Sequence, residues 1–531
     1  MVNLDLPLRP WVPQWLGALT LFLIFIPTAM LNGAYTGSML EVSSSLGVFS
    51  EDISMGYYAT SVGMAVAYPV VRKVLDSVPP KSLLLGDLPL QALLSYFCTY
   101  SNNIDIIIVC SFFIGLLKAF VMLWCIIHLQ PLFSPGNVRS EFYAYFFPLV
   151  FAMGQLSMAL TAQLAYYYDW RYMYYLMMLG ILVAILFILV CFRYARVPAR
   201  FPLGEFDFRS MLVISTAMLM LLYVFTYGRV LDWFASSKLT TYLCLAPLLV
   251  ALFVWKQRTS ERPYVHLQIL HRWKSVLGYL YMFLTLFFSS ASTLTTTYLT
   301  SVLSVDSVHT NSLSLYLIPG FAVGGFVCFW WFRWQRWRFR FLIAGGMACY
   351  ALYFAILYFG VSPASTYEML YFPMFLRGLG MMILVIAFGV FVVEEIDPKL
   401  MLTNAFFVIS VRSAFAPVMG VSFYTNALYY LQQRSLTRLS EQLTLADPLA
   451  AARYNDTLQQ ALASGHGMAE AQQLATNTLY GLLQQQSLLL GLKTLLGYLV
   501  IATLLLAIVS RFIPFHKTVK VDVVRTGDDM G

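Results

Sequence analysis

Four ionisable side chains interrupt long apolar stretches of the sequence: Asp87, Lys118, Arg377 and Arg412. A charged group inside an apolar layer is costly, so such residues usually face a helix-bundle interior or a water-filled cavity. A carboxyl group in that setting can carry a proton, because desolvation favours its neutral form. A buried cation can bind an anionic group. We therefore treat these four residues as candidates for substrate binding or ion coupling.

Each candidate has a structural alternative. Asp87, in "LLLGDLPLQ", has a structural or coupling role unless the boundary of its span is misplaced. Lys118 lies about ten residues, or roughly 15 Å at 1.5 Å per residue, from either end of its span. Snorkelling to the interface is difficult over that distance, so we expect a cavity-facing lysine that pairs with Asp87 or binds an anionic substrate group. Arg377 and Arg412 either line a pathway or pair with the end of a helix.

The elements that carry these residues are predicted to be membrane spans. The chain of 531 residues is 60% hydrophobic and only 11% charged, about half the charged share of a soluble protein. Fourteen apolar runs are long enough to cross a bilayer, and lipid requires them to be helical. The predicted fold class is therefore an all-α integral membrane protein. The predicted spans are 15–34, 52–71, 82–100, 104–128, 141–165, 172–193, 210–228, 238–255, 275–299, 312–332, 340–360, 367–393, 401–425 and 487–513.

The distribution of lysine and arginine predicts the orientation. With the N-terminus in the cytoplasm, 23 of the 33 basic residues fall in cytoplasmic segments, seven fall outside and three lie within spans. The loops 35–51, 300–311 and 361–366 carry none and fall outside. The positive-inside rule thus predicts both termini on the cytoplasmic side.

The run "FWWFRWQRWRFR", residues 329–340, alternates tryptophan with arginine. Arginine neutralises phosphate and indole stacks on bases, so the run alone could bind nucleic acid. It forms a tight cytoplasmic turn between spans 10 and 11, however, and offers no surface clear of lipid. We predict an interfacial belt facing the lipid bilayer, and no nucleic-acid partner.

Two landmarks indicate an internal repeat. Tight basic turns follow spans 2 and 10, and Arg72 and Arg333 in them are 261 residues apart. Gly115 in span 4 and Gly378 in span 12 are 263 residues apart. Two related six-span halves are typical of secondary transporters, which bind substrate between the halves. The predicted units are an N-terminal six-span bundle, two additional spans with a cytoplasmic loop, a C-terminal six-span bundle and a cytoplasmic tail, at 1–209, 210–274, 275–513 and 514–531.

Several local motifs resemble a known family. They are "DWRYMYYL" (169–176), "RGLGMM" (377–382), "NAFFVISVRSAFAPVMG" (404–420), and Phe133 with Arg139 between spans 4 and 5. In these motifs and in its architecture the chain resembles the major facilitator superfamily, and within it the fourteen-span drug/proton antiporters of the EmrB/QacA type. The resemblance implies a fold of two six-helix bundles plus two additional spans. It also implies gradient-driven export of drug-like molecules.

The chain departs from that family at several places, and two of them concern candidate residues. The family's cytoplasmic signature falls on Arg72 to Lys81, where Asp76 and Lys81 clearly remain. The resemblance implies gating contacts for Arg72, Asp76 and Lys81, and the alternative for Asp76 is a solvated loop acid. Asn32 stands where the family has a span-1 acid, and an amide cannot titrate. Proton coupling would then need another group, and Asp87 is the first candidate.

The segment 426–486 is the one sizeable stretch predicted to lie outside the membrane. It is rich in Gln, Leu and Ala, and "ADP" (446–448) and "SGHG" (464–467) divide it into helical pieces. Leu428, Leu431, Leu436, Leu439 and Leu443 form roughly one apolar stripe. The stripe either packs against the rest of the segment as a helical hairpin over the pore mouth or docks a partner. The resemblance to EmrB implies a periplasmic adaptor protein as that partner.

Other chemistry has no signature in the sequence. The seven cysteines show no CxxC spacing, the six histidines do not cluster with metal-ligand spacing, and no Walker A loop or G-x-S-x-G motif occurs. We therefore predict no catalytic residues, no metal and no cofactor.

Three functions stay open on the sequence. The first is an ion-gradient-driven exporter of hydrophobic or amphipathic small molecules in a bacterial inner membrane. The second is an importer on the same fold. The third is a multi-pass membrane enzyme, such as a lipid-linked glycosyltransferase, in which the acids Glu41, Glu51 and Asp52 of the first outer loop would hold a metal.

Overall fold

The computed structural model describes residues 6–136, 138–194, 206–334, 338–394, 396–442, 448–513 and 515. Regular structure in these ranges is helical, and Leu8 and Phe192 form an isolated antiparallel bridge. The tail predicted at 514–531 lies outside the described residues except for position 515. The α-helices are α1 (Gln14–Met30), α2 (Met39–Leu46), α3 (Ser50–Ser77), α4 (Pro80–Tyr100), α5 (Ile104–Phe133), α6 (Arg139–Tyr167), α7 (Tyr172–Cys191), α8 (Phe208–Tyr227), α9 (Ser237–Thr259), α10 (Trp273–Ser289), α11 (Ser292–Ser301), α12 (Ser307–Ser312), α13 (Leu317–Trp334), α14 (Phe339–Gly360), α15 (Tyr371–Val393), α16 (Met401–Ile409), α17 (Ala416–Gln442), α18 (Pro448–Ala463) and α19 (Met468–Phe512).

Helical segments occupy the positions of all fourteen predicted spans. In the described part of the chain, eleven of them are long and apolar enough to cross a membrane. The other three are α1, which is apolar but has 17 residues, and α3 and α4, which lie at predicted spans 2 and 3. The all-helical membrane fold is therefore confirmed, and the count of fourteen spans stays a prediction.

Pairs of glycines bring helices into backbone contact in the same way in the two parts of the chain. A Cβ placed on Gly115 of α5 would lie 1.9 Å from the carbonyl O of Thr60 on α3. A Cβ placed on Gly378 of α15 would lie 2.6 Å from the carbonyl O of Leu317 at the start of α13. Only a residue without a side chain permits such close crossings. Spans 2 and 4 therefore meet as spans 10 and 12 do.

The hydrophobic interior has two main cores, one formed by residues between 6 and 192 and the other by residues between 281 and 515. A third cluster joins α8 and α9 to α3, α5 and the region of α16 and α17. Polar contacts support this junction, because Tyr227 donates to Asp52 at the start of α3 and Trp233 donates to Asn426 of α17 at 3.2 Å. The two additional spans thus contact both cores.

A salt bridge links the two additional spans to each other. Lys256 of α9 lies 2.7 Å from the carboxylate of Asp207, the residue that precedes α8. Burial raises the pKa of Asp207, but hydrogen bonds from Lys256 and Ser210 outweigh it and hold the pKa below its ordinary value.

Five of the predicted spans are not continuous α-helices, and two of these, spans 10 and 12, begin with 3-10 turns at Leu313–Tyr316 and Tyr367–Leu370. Span 1 ends as a helix at Met30 and continues through non-helical residues 31–35. The sequence predicts a continuous span 9 over 275–299, but at residues 290–291, between α10 and α11, the α-helix is interrupted by a tighter turn with i→i+3 hydrogen bonds, which we call the break in span 9. Span 13 contains a π-helical turn, Ser410–Phe415, between α16 and α17. Such interruptions are frequent at functional sites.

The segment 426–486 is built mainly from extensions of spans 13 and 14. Helix α17 continues to Gln442 and α19 begins at Met468, beyond the predicted boundaries of 425 and 487. Helix α18 packs against α19. Leu428 is buried, and Gln432 contacts Gly491 of α19, so the start of the leucine stripe faces α19. Leu443 lies outside the described residues.

The tryptophan- and arginine-rich run begins at the end of α13. The guanidinium of Arg333 lies 5.7 Å from the ring centroid of Phe329 and 5.9 Å from that of Trp330. The Phe329 ring packs against Tyr145 of α6 at 5.5 Å. Positions 335–337 are outside the described residues.

Candidate functional site

The first cluster of candidate residues surrounds the end of α1. The ammonium of Lys118 on α5 donates to the carbonyl oxygens of Ala29 at 2.9 Å and Leu31 at 2.8 Å, and to Oδ1 of Asn32 at 3.4 Å. Helix C-termini leave carbonyls without intrahelical donors and carry partial negative charge. Lys118 satisfies two of these carbonyls, and its three protons all have acceptors.

Three further helices contact the same non-helical segment. Ser157 of α6 donates to the carbonyl O of Met30 at 3.3 Å, and Tyr174 of α7 donates to that of Gly33 at 2.8 Å. The N–H of Gly33 donates to Thr60 of α3 at 3.4 Å. Side chains of four helices, α3, α5, α6 and α7, thus make polar contacts with the end of span 1.

Asp87 lies on α4 and is 5% exposed. Its Oδ1 accepts a hydrogen bond from the side chain of Gln91, one turn later, at 2.7 Å. Ser95 and Thr99 continue the same buried face of α4. The hydrogen bonds of Lys118 go to the end of α1 and not to Asp87, so the structure does not support the expected pairing of these two residues.

The second cluster lies at the break in span 9. Arg377 of α15 is 7% exposed, and its Nε and Nη1 atoms have no hydrogen-bond partner among the described residues. Met381, one turn further along α15, accepts a hydrogen bond from Ser289 at the break, at 3.3 Å. On the opposite side of the break, a Cβ on Gly420 of α17 would lie 2.7 Å from Cβ of Ser290. The same face of α15 that carries Arg377 therefore packs against the interruption.

Tyr424 of α17 is fully buried beside this break. Its ring centroid lies 5.2 Å from that of Phe287, and its hydroxyl has no hydrogen-bond partner in the described part of the chain. Tyrosines 350 and 353 of α14 have partners, because the first donates to the carbonyl O of Thr285 at 3.1 Å and the second contacts Thr295 at 3.2 Å.

Arg412 lies in the π-helical turn of span 13 and is partly exposed. Its guanidinium lies 5.6 Å from the ring centroids of both Phe147 and Phe151 on α6. These are cation–π contacts between the C-terminal and N-terminal halves. The sequence offers two placements for Arg412, in a pathway or at a helix end. The structure places it where span 13 meets α6, against two aromatic rings.

The gating-turn candidates do not form one cluster. Arg72 and Asp76 pair within α3 at 3.4 Å, with exposed fractions of 35% and 65%, so their ion pair contributes little. Lys81 is buried at the start of α4 and donates to the carbonyl O of Phe192 at 2.7 Å and of Leu189 at 3.3 Å. Asp76 is thus placed as the solvated-acid alternative describes, and Lys81 binds the end of α7.

The sequence does not predict most of the residues that contact the end of span 1 and the break in span 9. Tyr174 lies within "DWRYMYYL", so the motif contained a signal for it. Tyr424 and Ser157 stand in segments without a distinguishing pattern. The acceptors of Lys118 are backbone carbonyls, which every residue possesses, and so no side-chain pattern could have identified them.

A known protein family matches this chain in sequence, and solved structures match it in fold. The sequence profile described as "Major Facilitator Superfamily" matches residues 18–421. The chain belongs to the major facilitator superfamily. It is therefore a transporter and not an enzyme, which rejects the membrane-enzyme alternative. Glu41 and Asp52, suggested as metal ligands, instead accept hydrogen bonds from Ser307 and Tyr227.

Solved structures share this superfamily fold at low sequence identity. The peptide transporter POT in complex with sulfate has a TM-score of 0.51 and 12% identity, over 94% of this chain and 98% of that chain. The nucleoside transporter NupG has a TM-score of 0.46 and 11% identity, over 92% and 98%. The human organic anion transporter MFSD10 (TETRAN) has a TM-score of 0.42 and 13% identity, over 91% and 96%. No curated protein matches the chain in sequence.

Proposed function

We propose that this superfamily member is an ion-gradient-driven exporter of hydrophobic or amphipathic small molecules, similar to the EmrB/QacA drug/proton antiporters. The observation that carries the proposal is the pair of interrupted helices at spans 1 and 9, the first spans of the two halves. Interruptions at corresponding positions of two repeats mark the substrate site of many secondary transporters. In this chain Lys118 donates to the first interruption, and Met381, one turn from Arg377 on the same face of α15, contacts the second.

The proposed topology has fourteen spans, with both termini in the cytoplasm of a bacterial cell and the protein in its inner membrane. The two six-span bundles extend over 1–209 and 275–513, and the additional spans with their loop over 210–274. The bias of basic residues toward one side supports this orientation.

The segment 426–486 is proposed to dock a periplasmic adaptor. The support is an apolar groove of about 380 Å³ between the extensions of α17 and α19, lined by residues that include Leu436, Leu479 and Leu483. Truncation of the segment tests this part separately. Export into the medium should fall, while transport across the inner membrane alone persists.

Accumulation of lipophilic dyes and hydrophobic drugs in a host without its own efflux pumps tests the direction and the substrate class. Expression of the protein should lower accumulation, and dissipation of the proton gradient should restore it. Raised accumulation would instead indicate import. Unchanged accumulation across a broad panel, with the protein verified in the membrane, would contradict transport of this class.

A further inference from the structure

Arg377 is a buried cation without the partners that such a group requires. Two of its three guanidinium nitrogens have no acceptor among the described residues, although the side chain is only 7% exposed. An unpaired charge in a low-dielectric interior costs several kcal/mol. A position that retains such a group is preorganised for an acceptor that arrives from outside the chain.

Other basic residues of this chain are satisfied by the ends of helices. Lys118 donates to the end of α1, and Lys81 donates to the end of α7. Arg171 donates to the carbonyl O of Thr99 near the end of α4 at 3.1 Å. Arg340 donates through Nη1 to that of Arg511 in α19 at 3.1 Å, although its Nε has no partner among the described residues. The fold thus repeatedly supplies carbonyl acceptors to cations, and Arg377 departs from that pattern.

Lys118 and Arg377 lie at nearly equivalent positions in the two halves of the chain. Lys118 lies three residues after Gly115, and Arg377 lies one residue before Gly378. The two glycines make the equivalent helix crossings, so the two cations differ by four positions, which is about one helical turn on the same face. Lys118 contacts the interrupted first span of its half, and Arg377 lies on the face of α15 whose Met381 contacts the interrupted first span of the other half. In the N-terminal half, that span supplies hydrogen-bond acceptors to the ammonium of Lys118. In the C-terminal half, the Nε and Nη1 atoms of Arg377 have no acceptor among the described residues.

A second buried donor lies beside the same break. The hydroxyl of Tyr424 has no partner among the described residues, and Gly420, one turn before it, contacts Ser290. Phe287 and Met381 add apolar surface on either side. The surroundings of the break therefore combine a cation, a neutral donor and apolar walls.

We propose that Arg377 binds an anionic group of the transported molecule at the break in span 9, and that the substrate class is amphipathic organic monoanions such as aryl carboxylates. The Arg377 guanidinium donates to the anion, the Tyr424 hydroxyl is the second donor, and the aromatic part of the ligand packs on Phe287 and Met381. The substrate class rests on the proposed transport function, whereas anion binding at Arg377 does not.

The test uses the full-length purified protein in a non-ionic detergent, with 2-naphthoate as the probe and its neutral primary amide, 2-naphthamide, as the matched compound. Thermal unfolding is followed by tryptophan fluorescence over a concentration series. We expect 2-naphthoate to raise the unfolding temperature and the amide to have no effect. Arg377→Gln should weaken the apparent affinity for 2-naphthoate by about tenfold or more, which corresponds to loss of charge-assisted hydrogen bonds.

Two variants separate loss of the site from loss of the fold. Arg377→Lys keeps the charge and should retain part of the stabilisation by 2-naphthoate. Arg229→Gln removes an exposed arginine that packs on Tyr429, and should respond as the unmodified protein does. Equal stabilisation of Arg377→Gln by 2-naphthoate, equal stabilisation of the unmodified protein by the amide, or no stabilisation by the carboxylate would each overturn the proposal.

Uptake of 2-naphthoate into proteoliposomes distinguishes this inference from the proposed function. Binding that depends on Arg377, without transport of 2-naphthoate or of the dye and drug panel, would reject the transport proposal and support the anion site. Transport of neutral and cationic compounds alone, without any effect of 2-naphthoate on unfolding, would support the transport proposal and reject the anion site.

Discussion

The Nζ atom of Lys118 lies 2.8 Å from the carbonyl oxygen of Leu31 and joins the middle of α5 to the end of α1. The contact replaces part of the hydrogen bonding that α1 loses where it ends within its span. It also places the amide of Asn32 within 3.4 Å of the same ammonium. The position that the resemblance to the EmrB/QacA antiporters aligns with their span-1 acid is thus occupied here by a neutral residue beside a cation that already has acceptors.

Replacement of Lys118 by methionine should destabilise the protein. The variant keeps the length of the side chain but leaves the carbonyls of Ala29 and Leu31 without their donor. Unsatisfied buried acceptors cost about 1–3 kcal/mol each, so we expect a loss of about 3 kcal/mol and a lower unfolding temperature. Lys238→Met, at an exposed position outside the core, is the control. An unfolding temperature equal to that of the control would show that the stability of the protein does not depend on the hydrogen bonds from Lys118 to the end of α1.

The same substitution at Arg377 should have the opposite sign. Arg377→Met removes a buried charge whose Nε and Nη1 have no partners, so in the absence of ligand we expect a gain of about 1–3 kcal/mol. The unfolding temperature of the ligand-free variant, measured beside that of Lys118→Met, checks the prediction. Destabilisation by Arg377→Met would mean that acceptors for the guanidinium exist within the protein, and would weaken the case for an external anion.

The sequence predicted the helical segments better than their interruptions. Hydrophobic runs located all fourteen segments because lipid-facing helices must be apolar along their length. The break at 290–291 and the π-helical turn around Arg412 were missed, since a change in backbone hydrogen bonding leaves the hydropathy almost unchanged. Helices α17 and α19 continue beyond the apolar runs of spans 13 and 14 into polar, Gln-rich sequence, and hydropathy does not predict that these extensions are continuous with the spans.

The candidate site was predicted in part. Burial of Asp87, Lys118 and Arg377 followed from their positions in apolar runs, and the structure buries all three. Their partners did not follow, because acceptors at helix ends are set by tertiary packing. The comparison of Gly115 with Gly378 was informative for a physical reason, since backbone contact between helices excludes every larger side chain.

The glycine crossings should not tolerate even one methyl group. In Gly115→Ala the new Cβ would lie 1.9 Å from the backbone O of Thr60, and in Gly378→Ala 2.6 Å from that of Leu317. Backbone atoms cannot move aside as a flexible side chain can, so we expect losses of about 3 kcal/mol or more and a lower yield of monodisperse protein. Size-exclusion chromatography of detergent-solubilised protein measures this yield.

Two glycines serve as matched controls for these crossings. A Cβ on Gly86 of α4 or Gly345 of α14 would meet nothing within 4 Å. Alanine at either position should leave the yield unchanged or raise it slightly, because alanine is the better helix former by about 1 kcal/mol. Equal behaviour of all four variants would contradict the backbone contact at both crossings, and a loss at only one crossing would contradict the equivalence of the two halves.

Asp87 is the candidate group for coupling transport to a proton gradient. Asn32 cannot titrate, so a proton-coupled mechanism needs another group within the membrane, and Asp87 is buried on α4 with Gln91 as its one hydrogen-bond partner among the described residues. Asparagine at position 87 can still accept that hydrogen bond but cannot exchange a proton. We therefore expect Asp87→Asn to fold normally and bind substrate, to lose proton-gradient-driven transport in proteoliposomes by about tenfold or more, and to retain counterflow exchange of substrate. Asp105→Asn, which changes an exposed acid in the first turn of α5, is the control and should transport normally. Loss of folded protein and of binding together in Asp87→Asn would assign Asp87 a purely structural role on α4, and full gradient-driven transport by this variant would reject Asp87 as the coupling group.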